Sequence, residues 1–479
     1  MKNTTVLVCG TGLWLLAVLS MQVSVSNAAT FEVGPGQAYV SIQACLNAVS
    51  PGDTCNVHAG TYIEQLSLPV SGTSASRITL KSNGNDAVTV QSTLSPVLKI
   101  NGKSYWTLSG INYTYNGGGS NPSVIRNNYG DNVDGITIQG GTITVSSGSG
   151  AGYGIYVASG NNTIVSGVTV AITATSGAYD GMEFLYAANL TITRCTIYGV
   201  GNASGTLEDG IVTNGTNITI TDNILHDGWS QTHADGIVIQ GAGDRTGSGG
   251  GTTHNVNVSR NTVYNFSQGI YLDAIFTAID GTNLIANNVI YEGPTFQVGA
   301  IVDAMNCILI HGENLSNNPG YPIVVNIYNN TLDCRQLQMF TDDLVNGSAI
   351  DIQNNIFINS SFAGQHILFT NGVSMDHNYY SQGSGTPIRW GGATYSLTSF
   401  QSNVGQERNA VSGAVGLNLD YTENSESDSR NRGVNFSAVF TNDRAGVSRS
   451  ASPASWDMGA YTYSSGLLPP PAPTDLRVQ

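Results

Sequence analysis

The chain has 479 residues and a formal net charge of −15, yet only 10% of its residues are charged and 58 are glycine. This composition excludes coiled coils and helical bundles, which are rich in Glu, Lys, Ala and Leu. A hydrophobic content of 40% excludes a charge-driven disordered chain. We predict no binding to nucleic acid, because the chain has four lysines and no basic stripe.

The N-terminus, residues 1–28, has the pattern of a secretory signal peptide. Lys2 is followed by an apolar run and then by a small-x-small cleavage site that ends at Ala28. We therefore predict a secreted protein, periplasmic or extracellular. No later stretch is apolar enough to span a membrane, and we expect the mature chain to be a monomer.

The first predicted element after the signal is a short helix over Tyr39–Val49, whose apolar residues share one face. An oxidising compartment favours a disulfide between Cys45 and Cys55. Cys307 and Cys334 are 27 residues apart, close to one unit of the repeat described next, and this spacing lets them meet as well. Cys195 is expected to be a small buried apolar residue.

A repeated segment follows, in which alternating apolar residues precede a polar residue and an asparagine. Its short spacings run from 23 to 28 residues, and Cys195 occupies the same slot one unit earlier. Units this short cannot bury their own apolar face, so they must stack with like strands paired in parallel. The repeated side chains should form a ladder inside the turns, and asparagine also tolerates the left-handed conformation that such bends need. These residues are Asn223, Asn261, Asn288, Asn330, Asn355 and Asn378.

This pattern resembles the right-handed parallel β-helix of pectate lyases, polygalacturonases and their relatives. The predicted fold class is therefore all-β, a right-handed parallel β-helix over residues 29–463 with the short helix as its N-terminal cap. Residues 464–479 are predicted to be a proline-rich flexible tail. A propeller or a sandwich is the alternative, but propeller blades need about 40 residues and four antiparallel strands.

A second repeat places Asp180, Asp209 and Asp235 before a glycine and an apolar residue, 29 and 26 residues apart. Equivalent positions of stacked coils lie about 4.8 Å apart, so these three residues should form a carboxylate column, here called the Asp column, which Asp134 would continue. Three interpretations stay open. The carboxylates act as acid and base on a glycosidic bond, or they bind Ca²⁺ together with Glu183, or Asp-Gly is only a turn dipeptide.

The segment HDGWSQTHADG at 226–236 adds further candidates beside Asp235. His233 is predicted to be catalytic as a proton shuttle, while Trp229 and His226 are predicted to bind substrate. EDGI at 208–211 and ADGIVIQGAG at 234–243 resemble the Asp-containing motifs of polygalacturonases. This likeness puts Asp209 and Asp235 at the catalytic carboxylate positions, but Ala234 stands where one Asp is expected, and the Gly-His-Gly and Arg-Ile-Lys elements are missing.

A lyase of the same fold would instead need a base beside a uronate carboxylate. The candidates are Arg194, Arg260, His233, Tyr186 and Tyr271, of which Arg260 and Tyr271 are also predicted to bind substrate. The net charge should repel a polyuronate over a Debye length of about 8 Å, so either calcium bridges the two or the substrate is neutral.

The sequence thus predicts an exported protein that binds a polysaccharide and cleaves it as a glycoside hydrolase or a polysaccharide lyase. The predicted catalytic residues are Asp180, Asp209, Asp235 and His233. The alternative is a non-catalytic adhesin or carbohydrate-binding surface protein, since the fold alone does not imply an activity.

Overall fold

The computed structural model describes most of the chain from Ala28 to Ser464. Residues 1–27 and 465–479, which carry nearly all of the predicted signal peptide and tail, lie outside the described residues. No helix in the described part of the chain is both long and apolar enough to cross a membrane. The described ranges are 28–200, 205–229, 234–241, 252–274, 277–293, 305–312, 321–335, 337–342, 344–358, 367–369, 372–381, 388–449 and 455–464.

The chain winds into a stack of coils, each built from short strands on three faces. Equivalent strands of adjacent coils pair in parallel, so that Ile192, Ile220 and Val258 lie in one buried column. The alternation of apolar and polar residues puts such columns inside and the polar side chains outside. The predicted right-handed parallel β-helix is confirmed.

The first face carries the Asp column. Its two longest strands bend around a corner and continue into the second face, which joins both faces into one sheet. The strands of the first face are Leu66–Ser67, Leu98–Lys99, Ser123–Asn127, Ala151–Ala158, Ala178–Thr193, Leu207–Thr221, Asp235–Gln240, Gln268–Asp273, Asn306–His311, Leu337–Asp342, Ile367–Phe369 and Ile388–Trp390.

The other two faces complete each coil. The second face also contains Thr30–Val33, Thr54–Val57, Ile78–Ser82, Trp106–Ser109, Thr137–Gln139, Ile164–Ser166, Thr253–Ser259, Leu284–Ala286, Val324–Tyr328, Ala349–Gln353 and Val373–Asp376. Short strands at its edge are Val133–Asp134, Gly160–Asn161 and Ile279–Asp280. The third face contains Gly60–Ile63, Val88–Ser92, Asn112–Tyr115, Thr142–Val145, Thr169–Ile172, Thr196–Tyr198, Ile224–His226, Thr262–Tyr264, Val289–Tyr291, Thr331–Asp333, Ile356–Ile358, Tyr379–Tyr380 and Val411–Ser412.

The repeated asparagines form the predicted ladder at the corner between the second and third faces. The side-chain oxygen of Asn261 accepts from the backbone N–H of Asn223 at 3.0 Å and from its Nδ2 at 3.0 Å, and the same pattern repeats to Asn378. We call this set, Asn223, Asn261, Asn288, Asn330, Asn355 and Asn378, the Asn ladder; all six are fully buried.

One detail of that corner differs from the expectation. The left-handed conformation falls on the residue before each ladder position, for example Asp222, Arg260 and Asn287, with φ between 56° and 62°. The ladder asparagine itself points inward and uses its amide, not its tolerance of positive φ. The preceding side chain instead makes contacts outside the ladder, as Arg260 does with Asp222 and Asn287 with Arg449.

Both ends of the stack have a short helix. The N-terminal helix α1 covers Ile42–Leu46, shorter than the predicted Tyr39–Val49, because Ser41 caps it and the backbone of Tyr39 pairs with Val33 and Glu32. At the other end, helix α2 covers Leu397–Asn403. Two antiparallel pairs lie beyond the coils, namely Ala393–Tyr395 with Ile388–Trp390 and Gly433–Val434 with Ser455–Trp456.

The C-terminal segment, described over 413–449 and 455–463, returns along the outside of the stack. Tyr421 donates to Asp333 of the third face at 2.9 Å, Arg444 donates to Thr262 at 2.8 Å, and Arg449 donates to Asn287 at 2.9 Å. This segment thus packs on the third face and on the corner that contains the Asn ladder, on the side of the stack away from the Asp column.

Four cysteines are paired. Cys45 bonds to Cys55 and Cys307 bonds to Cys334, with Cα atoms 6.1 and 5.6 Å apart. Cys195 is buried and forms no disulfide with any residue that the structure describes. Its backbone N–H donates to Asn223 at 2.9 Å, so it occupies the first rung of the ladder.

Candidate active site on the first face

The Asp column lies where the strands of the first face begin. Asp180 pairs with Asp209, and Asp209 pairs with Asp235, in parallel register. Tyr153 precedes the column and Gln268 follows it. Contrary to the prediction, Asp134 does not continue the column, because it lies on a strand at the edge of the second face.

The glycines after these aspartates show that the turn interpretation of Asp-Gly is wrong. Gly210 and its equivalents lie inside strands, and their φ angles are not in the left-handed region. A Cβ on Gly210 would lie 2.4 Å from the carbonyl oxygen of Gly236 and 2.6 Å from Leu225 on the third face. Close packing thus explains each glycine, whereas no packing or turn requirement explains three stacked carboxylates.

The electrostatics of the column centre on Asp209. Burial raises the pKa of Asp209 well above its ordinary value, and the negative charges of Asp235 and Asp180 raise it further. The backbone N–H of Asp235 donates to Asp209 Oδ1 at 3.3 Å, which opposes that rise only in part. Asp235 is 1% exposed, while Asp180 and Asp209 are partly exposed. The column therefore favours the protonated form of Asp209 more than water would.

This arrangement supplies the groups that acid–base chemistry requires. A protonated carboxyl can act as a general acid, and an ionised neighbour can act as a base or nucleophile. Carboxyls on adjacent coils lie about 5 Å apart and those on alternate coils about 10 Å apart. These separations are close to those of retaining and inverting glycosidases, respectively.

Of the site residues predicted from the segment at 226–236, the structure places Trp229 nearer the Asp column than His226. The His226 ring is stacked between Tyr198 and Tyr264 on the third face, and its Nδ1 lies 2.8 Å from Asp227, so it does not reach the column as predicted. Trp229 lies nearer, because its backbone N–H donates to the carbonyl oxygen of Leu207, two residues before Asp209, at 2.9 Å. His233 lies outside the described residues.

The two predicted arginines belong to a different corner. Arg260 forms a two-point ion pair with Asp222, with N–O distances of 2.8 and 2.7 Å, and both residues precede ladder asparagines. Arg194 occupies the same left-handed position one coil earlier. This corner joins the second and third faces, so the structure does not bring Arg260 to the Asp column as a substrate-binding residue.

Tyr271 does lie on the first face, in a cluster that the sequence analysis missed. Its hydroxyl is 2.9 Å from His311 Nδ1, and the same ring nitrogen lies 3.8 Å from Asp273. The segments QGIYLD at 268–273 and NCILIH at 306–311 pair residue for residue. Aligning the sequences of these two segments from their first residues, Gln268 and Asn306, would have placed His311 beside Asp273. Both residues end a strand of the first face.

Of the four predicted calcium ligands, Glu183 lies outside the Asp column. Glu183 lies three residues beyond Asp180 on the same strand, in the column of Tyr156 and Val212. Among the described residues, no group of three or more His, Cys, Asp or Glu side chains is placed to hold a metal ion. Calcium binding by Asp180, Glu183, Asp209 and Asp235 stays a prediction.

No protein-family model and no curated protein sequence matches this chain. Solved structures with a similar backbone include pectate lyase Pel9A, with a TM-score of 0.48, 14% identity, and coverage of 92% of this chain and 98% of that chain. XylC in complex with xylose gives a TM-score of 0.44, 11% identity, and coverage of 75% and 84%. The family 28 exopolygalacturonase of Yersinia enterocolitica gives 0.38, 12%, and coverage of 78% and 74%. At these identities, function has to be inferred from the residues of this chain.

Proposed function

We propose that this chain is an exported enzyme that cleaves a polysaccharide lying along the first face. Hydrolysis of a glycosidic bond is the reaction that the Asp column supports best. The observation that carries the proposal is the position of Asp209, whose pKa is raised by burial and by two flanking carboxylates.

In this mechanism, Asp209 holds the proton and donates it to the oxygen of the leaving sugar. An ionised neighbour, Asp180 or Asp235, lies one coil away, at about 5 Å. That separation leaves no room for a water molecule between carboxylate and sugar, so the neighbour acts as a nucleophile and bonds to the anomeric carbon as the bond to the leaving sugar breaks. A water molecule deprotonated by Asp209 then releases the sugar, and the configuration at the anomeric carbon is retained. Trp229 remains a candidate for sugar stacking beside the column, and His233 remains a predicted proton shuttle.

A polysaccharide lyase is the second candidate, and the Tyr271 cluster favours it. In β-elimination, a base removes the proton next to a uronate carboxylate, and the glycosidic oxygen leaves as a double bond forms. In this reaction His311 would accept the proton of the Tyr271 hydroxyl, and the nearby carboxylate of Asp273 would favour the protonated His311. The Tyr271 oxygen would then take the proton next to the uronate carboxylate and pass it to the departing glycosidic oxygen.

The deciding experiment is a screen of the mature chain, from Ala29 onward, against neutral and acidic polysaccharides with and without a chelator. Reducing ends and ultraviolet absorbance of unsaturated products are measured together. Reducing ends without absorbance, lost in Asp209→Asn, support the hydrolase. Absorbance lost in Tyr271→Phe supports the lyase, and loss of activity with chelator supports calcium. Glycan binding without product overturns cleavage and favours an adhesin.

A further inference from the structure

Two coils before the Asp column, the first face carries positively charged side chains instead of carboxylates. Lys99 and Arg126 lie in register on adjacent coils, and the buried Tyr156 and then the partly exposed Glu183 follow in the same column. Lys99 and Arg126 are partly exposed. The face therefore has a cationic end, composed of Lys99 and Arg126, and an anionic centre formed by the Asp column.

Arg126 is fixed in place by neutral groups. Its guanidinium carbon lies 4.8 Å from the ring centroid of Tyr156, its Nε donates to Asn128 at 3.1 Å, and its Nη1 donates to Ser123 at 3.3 Å. Neither Arg126 nor Lys99 forms an ion pair with a carboxylate among the described residues. Two cations at the spacing of adjacent strands, about 4.8 Å, repel each other unless an anion lies between them.

Aromatic rings border this cationic end. Tyr129, in the turn after the Arg126 strand, is 64% exposed, and its ring lies 5.7 Å from the ring of Tyr186. Exposed aromatic rings pack on the apolar faces of sugars, and a guanidinium beside them recognises a carboxylate. Tyr186, first considered as a base, thus lies at the rim of this cluster.

We propose that Lys99, Arg126 and Tyr129 form a binding subsite for a carboxylate-bearing sugar of an acidic polysaccharide, in which the buried Tyr156 positions Arg126. The inference rests on the proposed function and extends it by naming the charge of the substrate. It also bears on the net charge, because Lys99 and Arg126 place two positive charges on the face where the substrate would lie. Three coils, about 14 Å, separate Arg126 from Asp209, so a short oligomer cannot occupy both places.

The test measures binding rather than cleavage, in an Asp209→Asn background that keeps the substrate intact. Acidic polysaccharides of several classes are each compared with their carboxyl-reduced form, which has the same length and no charge. We expect at least one acidic polymer to bind more tightly than its reduced form, by a margin that shrinks as salt is added.

Arg126→Gln should weaken binding of that acidic polymer about tenfold or more and leave the reduced form unchanged, as expected for loss of a charge-assisted hydrogen bond. Arg126→Lys keeps the charge and should keep most of the preference. Lys81→Gln, at an exposed position on the second face, is the matched control and should change neither.

Three outcomes would overturn the subsite: no acidic polymer is preferred over its reduced form, Arg126→Gln has no effect, or it weakens both forms equally. The last would mean that Arg126 serves only to pack on Tyr156. These results are separable from the proposed function. If the wild type binds in a charge-dependent way but does not cleave, the subsite is supported and the proposed cleavage is overturned. If it cleaves a neutral polymer and Arg126→Gln has no effect, cleavage is supported and the subsite is overturned.

Discussion

Two columns of polar side chains run along the same stack of coils at the same spacing. One consists of neutral amides and the other of ionisable carboxyls. In the Asn ladder every rung is neutral and fully buried, and each side-chain oxygen accepts hydrogen bonds from the rung before it. In the Asp column the rungs are like charges, and they raise the pKa of Asp209. A stack can be stabilised by amides at this spacing, so carboxylates there need a reason other than folding.

The end of the Asn ladder shows how the fold treats a carboxylate that it does need. Glu407 is fully buried and accepts from Asn378 Nδ2 at 2.8 Å and from the Tyr380 hydroxyl at 2.7 Å. It thereby terminates the ladder, whose last amide would otherwise lack an acceptor. A single carboxylate surrounded by donors is structural, whereas three carboxylates facing one another are not.

The largest effect should come from Asp209→Asn, which removes the proposed acid. We expect the rate of cleavage to fall by about 10²- to 10⁴-fold, and the melting temperature to change little, because the amide has the shape of the protonated carboxyl that the column favours. The matched control is Asp134→Asn, since Asp134 also precedes a glycine but lies outside the column. Reducing-end assays and thermal melts check both variants; a wild-type rate in Asp209→Asn would remove the column from the mechanism.

Breaking the Asn ladder should destabilise the protein instead. Asn288→Ala removes an oxygen that accepts from the backbone N–H and Nδ2 of Asn261, at 2.9 and 3.1 Å. Leaving those buried donors unpaired should lower the free energy of unfolding by about 2–5 kcal/mol. Asn326→Ala, on the outside of the second face, is the control and should cost little in denaturant titrations. Equal losses in both variants would contradict the ladder.

Glu407 should make stability depend on pH. Burial raises the pKa of Glu407 from 4.5 to about 7 in the folded chain, against the opposing hydrogen bonds from Tyr380 and Asn378. The folded state therefore binds the proton more tightly, and the stability from this group is full below pH 4.5 and is lost as pH rises to 7. Its size is on the order of 3 kcal/mol.

Glu407→Gln cannot titrate, so it should flatten that part of the profile. Denaturant titrations at about pH 4 to 8 measure the change. Asp333 and Asp443, whose pKa values are also raised by burial, should leave a residual slope of the same sign. A variant as pH-dependent as the wild type would show that Glu407 does not control the slope.

The smallest expected effect concerns Glu208, the residue before Asp209. Glu208 contributes, less than burial, Asp235 and Asp180, to raising the pKa of Asp209. Glu208→Gln should lower that pKa, so the alkaline limb of the pH–rate profile should move to lower pH, since activity requires the protonated acid. Glu426→Gln, an exposed charge on the C-terminal segment, should leave the limb in place. An unmoved limb in Glu208→Gln would assign the limb to another group.

The fold and the Asn ladder could be predicted from the sequence because both are periodic. A ladder residue must recur once per coil, and its neighbours must alternate, so the spacing of Asn223 through Asn378 is enough to reveal the pattern. The same periodicity placed Asp180, Asp209 and Asp235 in one column. Asp134 was wrongly added, because an Asp-Gly pair does not indicate which face of its coil it lies on.

The tertiary structure alone decided what surrounds those columns. Which corner carries Arg260, which face carries His226, and whether His311 meets Tyr271 depend on where each coil bends, and the bends are set by packing between faces rather than by local residues. The rise in the pKa of Asp209 likewise comes from burial and from charges on other coils. Repetition therefore determined the architecture and the columns, while the chemistry of the site depends on non-repeating contacts between coils.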